Sequence, residues 1–232
     1  MSLRSMFYKI RPAGIGRDAF EDLCKENGYG CERGFFKPRT TDSTGVIRFS
    51  NVLASTVLSS PYQAWSSDIT YYEINGRFYY ITFIMDCFTR VIVGYSVSDN
   101  LRTTSTSLPA LKGAIKMRKH LIRPGLIFHS DGGGQYYSKE FLKCTSNLKI
   151  INSMCEYAYE NGMAERLNGV IKNNYLRQYT NNSYAQLLRN VDRAVLLYNT
   201  DKPHKALQYQ SPKEFEKNWF ILQMETIKNE HQ

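Results

Sequence analysis

A chain of 232 residues, 42% hydrophobic and 22% charged, can form one domain with a sizeable core, or one domain with a small appendage, and excludes global disorder. Thirty Lys and Arg against 21 Asp and Glu leave a net charge of +9, which favours a polyanionic partner, nucleic acid before a membrane surface. No apolar run approaches the roughly 20 residues that a membrane-crossing helix needs. The start, MSLRSMFYKIRPAG, lacks the apolar core of a signal peptide, and five scattered Cys without a Cys-x-x-Cys pair argue against a disulfide framework or zinc module. A reducing, cytoplasmic compartment follows from that cysteine usage.

Residues 1–30 predict a short helical region, with Phe20, Leu23 and Cys24 on one face and a stop at Asn27-Gly28. Residues 31–64 read as a linker, made basic by Arg33, Lys37, Arg39 and Arg48. It is either a solvated connection or a DNA-backbone contact. The pattern sharpens at Trp65. Ser67 to Ile74 predicts a strand, Asn75-Gly76 a hairpin turn, Arg77 to Met85 a second strand, and Arg90 to Val97 a third. A helix over about 104–119 follows, with Leu108, Leu111 and Ile115 on one face and Pro109 in its first turn. Leu126 to Phe128 is a short apolar strand, Ser138 to Cys144 a helix, and Leu148 to Ile151 a further strand. After a loop over 153–162 come helices near 162–178 and 183–199, the second opened by a capping box of Ser183 and Gln186. A core over 65–217 and a C-terminal tail over 218–232 complete the division. Hairpins mixed with crossovers predict an α/β fold, a mixed sheet covered by helices.

Three carboxylates stand out against this pattern. Asp68 lies inside the first strand, where Asp is disfavoured unless it faces outward or has a task. Asp131 directly follows an apolar strand and precedes Gly132, Gly133 and Gly134, an arrangement that suits either a plain turn or the approach of a metal or phosphate. Glu165 opens a helix; at helical spacing it shares a face with Asn168 and Lys172, while Met163, Leu167, Val170 and Ile171 take the other side. Such a Glu is also what a solvated first turn favours. Together the three form an oxygen-only ligand set of the kind Mg²⁺ prefers. Two such ions roughly 4 Å apart can activate an attacking oxygen and stabilise a leaving one.

These residues resemble, in order and spacing, the catalytic core of bacterial insertion-sequence transposases with a retroviral-integrase-like core, the DDE group. The matching stretches are Trp65-Ser66-Ser67-Asp68-Ile69-Thr70-Tyr71, Met85-Asp86-Cys87-Phe88-Thr89-Arg90 with Gly94, and His129-Ser130-Asp131-Gly132-Gly133 through Gln135-Tyr136. They continue in Asn161-Gly162-Met163-Ala164-Glu165-Arg166-Leu167-Asn168-Gly169 with Lys172, then Tyr198-Asn199, Pro203-His204-Lys205-Ala206-Leu207 and Ser211-Pro212. Glu165 follows Asp131 by 34 positions, close to the separation characteristic of the family. The resemblance implies a ribonuclease-H-like, five-stranded mixed sheet flanked by helices. It implies Asp68, Asp131 and Glu165 as the catalytic and metal-binding triad, with two Mg²⁺ that Mn²⁺ can replace. Asn168, Lys172 and His204 become candidate DNA contacts, although His204, beside Pro203, reads equally as a structural residue at a helix end.

The implied reaction is metal-dependent cleavage and strand transfer of element ends into target DNA. Double-stranded DNA is the implied partner, bound by a homo-oligomer in the cytoplasm at the nucleoid. Residues 1–30 are short for a full end-recognition domain, so the chain reads either as a downstream product whose end recognition an upstream-frame product supplies, or as a truncated copy. Arg166, Lys202 and the loop Met154 to Tyr159 depart from the family's usual residues without touching the triad. Asp86 is expected to be structural rather than a fourth ligand, His129 and Trp65 to be packed, and Lys112, Lys116, Arg118 and Lys119 to form a solvated helix face. A non-catalytic DNA-binding regulator and a ribonuclease H are the competing readings.

Overall fold

The computed structural model describes residues 2–29 and 49–230. The basic stretch from Arg33 to Arg48 therefore lies outside the described residues. Five strands form one sheet in the order β3-β2-β1-β4-β5. They are β1 (Ala64–Ile74), β2 (Arg77–Asp86), β3 (Ile92–Ser98), β4 (Ile127–Ser130) and β5 (Ile151–Met154). The first three are an antiparallel meander, and β4 and β5 are parallel additions to the other edge of β1. The hairpin joining β1 to β2 turns at Asn75 and Gly76, both in the left-handed region (φ 50° and 78°), as the twist of a two-residue hairpin requires.

Helices cover both faces. On one lie α3 (Ser107–Arg118) and α4 (Lys139–Asn147); their Leu111, Ala114 and Phe141 bury against Trp65, Ile84, Val93 and Phe128. On the other lie α5 (Gly162–Asn174) and α6 (Tyr184–Thr200), which pack Leu167, Ile171, Leu187 and Val191 against Ile81, Phe83 and Met85. The alternation of β2 thus divides cleanly between two cores. Gly94 permits the closest approach: a Cβ there would stand 2.4 Å from the Ala110 carbonyl oxygen and 2.7 Å from the Ala114 Cβ. The N-terminal region is two helices, α1 (Leu3–Ile10) and α2 (Arg17–Glu26), joined through Phe7 and Phe20. They dock on the core by a Tyr8–Tyr209 stack at 3.9 Å and a Lys9–Asp201 ion pair.

Several boundaries differ from the sequence expectation. β1 begins at Ala64, and β5 runs from Ile151 to Met154 instead of Leu148 to Ile151. Lys149 adopts φ 53°, so the chain is still turning out of α4 where the apolar pattern suggested a strand. The helix expected to reach 178 ends at Asn174 and is followed by a short 3-10 turn over Leu176–Gln178. Residues 218–232, expected as a tail, belong up to Glu230 to a helix, α7 (Pro212–Glu230). Part of the expected linker, Val52, Leu53 and Leu58, packs against Ala64, Cys87 and Ile127. Substituting Gly94→Ala should destabilise the fold by about 1–3 kcal/mol, because neither the α3 backbone nor Ala114 can yield cheaply. Urea denaturation checks this; a midpoint equal to that of the parent chain would contradict the packing.

Candidate active site

Pairing between β1 and β4 stops at Ser66 and His129. Beyond that point the β4-facing edge of β1 is open, and the candidate residues collect there. Asp68 lies on the β1 face that looks toward α5. One of its carboxylate oxygens accepts from its neighbour Ile69 N–H at 2.9 Å, and the other accepts from the Asn168 amide at 2.7 Å. Burial pushes the Asp68 carboxyl up to about 7; the charge of Asp131 adds to this and that of Glu165 contributes less, while the two donors pull the other way.

Asp131 sits just past the end of β4. It accepts from Gly133 N–H at 3.1 Å, and a Cβ on Gly133 would stand 3.0 Å from that same oxygen. Behind both aspartates lies Tyr136, buried, with its hydroxyl 3.0 Å from the Ser67 oxygen. Ser67 donates to the Phe83 carbonyl at 2.9 Å, so Tyr136 is the donor in the pair. Burial holds the phenol well above its ordinary pKa, with the Asp131 and Asp68 charges acting in the same direction. Tyr136 is therefore a neutral strut under the carboxylates.

Glu165 is exposed in the first turn of α5. Its helix is tied to β1 by two amides. Asn161 donates to the Ser67 carbonyl at 3.0 Å, and Asn168 donates to Asp68. Asn161, Glu165, Asn168 and Lys172 form one stripe along the helix, so the expected shared face exists. Asn168 is only 5% exposed, however, and its amide is committed to Asp68. It holds a carboxylate in place instead of pointing outward to DNA. Lys172 lies at the far end of the stripe, its ammonium 5.4 Å from the centre of the Tyr71 ring.

His204 stands elsewhere. Its ring meets Tyr198 edge-on at 5.0 Å, and its Nε2 is enclosed without a partner among the described residues. Burial, then the Lys202 and Arg90 charges, lower its pKa to about 3, so the ring is neutral. The ring thus sits in a packing position against Tyr198, the structural one of the two roles its place beside Pro203 suggested. His129 and Trp65 are buried as expected, His129 within 3.0 Å of the Ser153 hydroxyl. Asp86, fully buried, accepts from Tyr62 N–H, Phe88 N–H, Thr89 N–H and the Thr89 hydroxyl at 2.7–3.1 Å. These donors fill its acceptor sites, and its carboxylate holds a turn, not a metal. Tyr136, Asn161 and Tyr71 all lie inside the sequence stretches quoted above, yet none was given a role. Helical spacing could have found Asn161, four positions before Glu165.

Two family models described as integrase core domain match residues 59–159 and 147–212, which together span well over half of the chain. The chain belongs to the integrase-core family. Among curated relatives, the transposase of insertion sequence element IS629 from Shigella sonnei is 31% identical over 188 residues, covering 79% of this chain and 62% of that protein. The transposase of IS904 from Lactococcus lactis is 28% identical over 162 residues, 68% of this chain and 63% of the relative. The chain thus spans somewhat less than two thirds of the length of these relatives. Among solved structures, the HTLV-2 integrase catalytic core domain in complex with magnesium aligns with a TM-score of 0.55 and 21% identity, over 68% of this chain and 97% of that one. A chain of the simian T-cell lymphotropic virus intasome in complex with PP2A regulatory subunit B56 gamma aligns with a TM-score of 0.57 and 16% identity, over 93% of this chain and 74% of that one. The integrase-core architecture is therefore a mixed five-stranded, ribonuclease-H-like sheet here as well. Among the described residues, no helix is long and apolar enough to cross a membrane.

The donor set fits a hard divalent cation in kind: every candidate ligand is a carboxylate oxygen. It also fits in energy, since Asp68 is held partly buried beside a second carboxylate, a placement that opposes its ionisation. Among the described residues no three acidic, His or Cys side chains already stand close enough to enclose an ion. The charge of Asp131 bears on Asp68 more strongly than that of the exposed Glu165 does.

The raised Asp68 pKa has a definite sign. The folded state keeps this proton to higher pH than the unfolded chain does, so the group's contribution to stability falls as pH rises from about 4 to about 7. In EDTA, Asp68→Asn should raise the melting temperature at pH 8 and do so clearly less at pH 5, where only the first part of that fall has occurred; equal shifts at both would contradict the assignment. Asp86→Ala should instead cost on the order of 3 kcal/mol by orphaning four donors. Calorimetric unfolding checks that, and metal affinity per folded molecule should be unchanged.

Proposed function

We propose that this chain catalyses metal-dependent cleavage and strand transfer of insertion-sequence DNA ends. The observation that carries the reading is the meeting of Asp68, on β1, and Asp131, after β4, with Glu165 on the helix that Asn168 ties to Asp68. Asp68 and Asp131 would hold Mg²⁺, or Mn²⁺ in its place, and Glu165 would complete the ligand set by a rotamer change. Two bound ions supply activation of the attacking oxygen and charge stabilisation at the leaving one.

The residues of the chain do the remaining work. Asn168 orients the Asp68 carboxylate and keeps one oxygen occupied. The Tyr136–Ser67 hydrogen bond keeps the strand beneath the aspartates rigid and contributes no base. Lys172 offers its ammonium to a backbone phosphate, and the net charge of +9 draws in duplex DNA that three carboxylates alone would repel. Joining two ends to a target requires two sites, so the working form is an oligomer on DNA. An upstream-frame product would add recognition of the ends.

The test is cleavage and joining of duplexes taken from the ends of the element that encodes this chain, with Mg²⁺ or Mn²⁺. Asp131→Asn and Glu165→Gln should each reduce joining to background; undiminished joining in either would sink the assignment. If the parent chain is itself inactive, calorimetry of Mn²⁺ binding decides between a missing partner and a wrong site. Binding lost in Asp131→Asn supports the triad, and no binding overturns it. Equal DNA affinity with and without Mg²⁺, joined to a lack of any transfer, would instead support a DNA-binding regulator.

A further inference from the structure

We propose that Arg90 and Lys202, gathered beside His204 where the β2–β3 turn meets the end of α6, form an oxyanion site that takes one phosphodiester of the DNA backbone. The proposal rests on the reading of the chain as one that acts on DNA, and it adds a contact apart from the carboxylates. Arg90 stands in the turn after Asp86 with φ 65°, and its N–H donates to the Asp86 carbonyl at 2.9 Å. Asn199 latches this turn to α6: its side chain accepts from Ile92 N–H at 2.8 Å and donates to the Ile92 carbonyl at 3.0 Å. Past α6 the chain folds back on itself. His204 N–H donates to the Gln210 carbonyl at 3.1 Å, and Tyr209 N–H to the His204 carbonyl at 2.8 Å. Both cations therefore stand on fixed backbone.

Both also lack a counter-charge among the described residues. The half-buried Arg90 guanidinium donates to the Met163 thioether, a weak acceptor, and the half-buried Lys202 ammonium to the neighbouring Pro203 carbonyl at 3.4 Å. Neither forms an ion pair with a described carboxylate. Asp201, the acid next to Lys202 in sequence, is spent on Lys9. The Tyr198 ring lies under the Lys202 ammonium at 6.0 Å, with its own hydroxyl committed to the Met85 sulfur at 3.6 Å. After burial, it is the Lys202 and Arg90 charges that hold the His204 imidazole neutral, so both act on one ring, whose Nε2 has no partner. Burial alone pulls the Lys202 ammonium down to about 8. Two half-buried cations about a neutral ring are an unfavourable arrangement that a bound anion relieves. A phosphate suits it, since the guanidinium offers a planar fork of donors and the ammonium a point charge.

The site is distinct from the carboxylates. Met163, which meets Arg90, and Glu165 are two residues apart on α5 and so lie on nearly opposite sides of the helix. A helix of about 10–12 Å diameter separates the two sites, a span well inside one turn of duplex DNA, about 34 Å. The phosphate held by Arg90 and Lys202 is therefore a neighbour of the reacting one.

The full chain is tested with inorganic phosphate alone and with a 30-base-pair duplex, for Arg90→Asn, Lys202→Met and their double variant. Asn suits the left-handed backbone at position 90, and Met keeps an apolar stem over Tyr198. Lys116→Met, on the exposed face of α3, controls for loss of charge alone. Phosphate should shift the Lys202 ε-methylene and His204 ring resonances of the parent chain saturably, and leave them still in Arg90→Asn. Duplex affinity, read by fluorescence anisotropy across a salt series, should fall about ten-fold at roughly 0.1 M salt in the double variant. The slope of log affinity against log salt should shrink by about one, the loss of a single phosphate contact. Lys116→Met should change neither.

A parent-like slope in the double variant, an equal loss in Lys116→Met, or no saturable phosphate shift would each overturn the site. The phosphate titration of the parent chain decides even where a variant does not fold. Phosphate binding with unaltered duplex affinity overturns the DNA assignment and makes a free phosphate the ligand. Asp131→Asn should lose joining and keep the parent salt slope. Asp131-dependent joining without any effect of Arg90 or Lys202 overturns this site alone; an intact site without Asp131-dependent joining overturns the transfer reading.

Discussion

The amide of Asn168 on the carboxylate of Asp68 is the contact on which the site depends. Helix and strand ordinarily meet through apolar side chains, as α5 and β2 do through Leu167, Ile171 and Phe83. Between α5 and β1 the contact is polar. Asn161 and Asn168, both buried, each spend their amide N–H group on β1, and neither has a partner for its side-chain oxygen among the described residues. A buried polar group without its partner is costly, so this seam holds only while the helix stays in register with the strand. The register that satisfies the two amides is the one that brings Glu165 beside Asp68. Docking of α5 thus also sets which side of the sheet Glu165 stands on, the side of Asp68.

That arrangement explains how a strand interior tolerates Asp68. A partly buried carboxylate beside Asp131 is unfavourable, and the Ile69 N–H and Asn168 amide offset only part of the cost, leaving its pKa near 7. Asp86 is a useful contrast. It is buried more completely, yet four donors satisfy it, and it terminates β2. Burial raises the pKa of both, but in Asp86 four donors work against it, whereas in Asp68 two donors do and the charge of a second carboxylate adds to it. The difference separates a structural aspartate from a functional one more clearly than exposure does.

Much of this was legible in the sequence. Asn75-Gly76 dictated the hairpin, the apolar run before Asp131 set β4, and helical spacing put Glu165, Asn168 and Lys172 on one stripe. Spacing alone could not say which members of the stripe point inward. Asn168 turned toward the strand because Asp68 waited there, a partner 100 positions away in the chain. The same limit applies to His204, whose place against Tyr198 depends on the return of the chain after α6. β5 was misplaced because the left-handed turn at Lys149 is a matter of backbone geometry, and Leu148 and Ile150 looked like strand residues while packing as loop ones. The helical character of α7 was hidden by its polar composition, since only its first half has a core to cover.

The tight contact at Gly94 has a mechanical consequence. On the α3 side, backbone and side-chain atoms interlock at van der Waals limits, and such an interface transmits force without yielding. On the α5 side the helix is held twice, by Leu167 and Ile171 in the apolar core and by the two amide bonds to β1. The sheet is therefore clamped from both sides. Both aspartates ride on the sheet itself, and the glutamate rides on a helix fixed against it. Any ligand that draws the three carboxylates together therefore has the exposed Glu165 side chain to move, and not a backbone element.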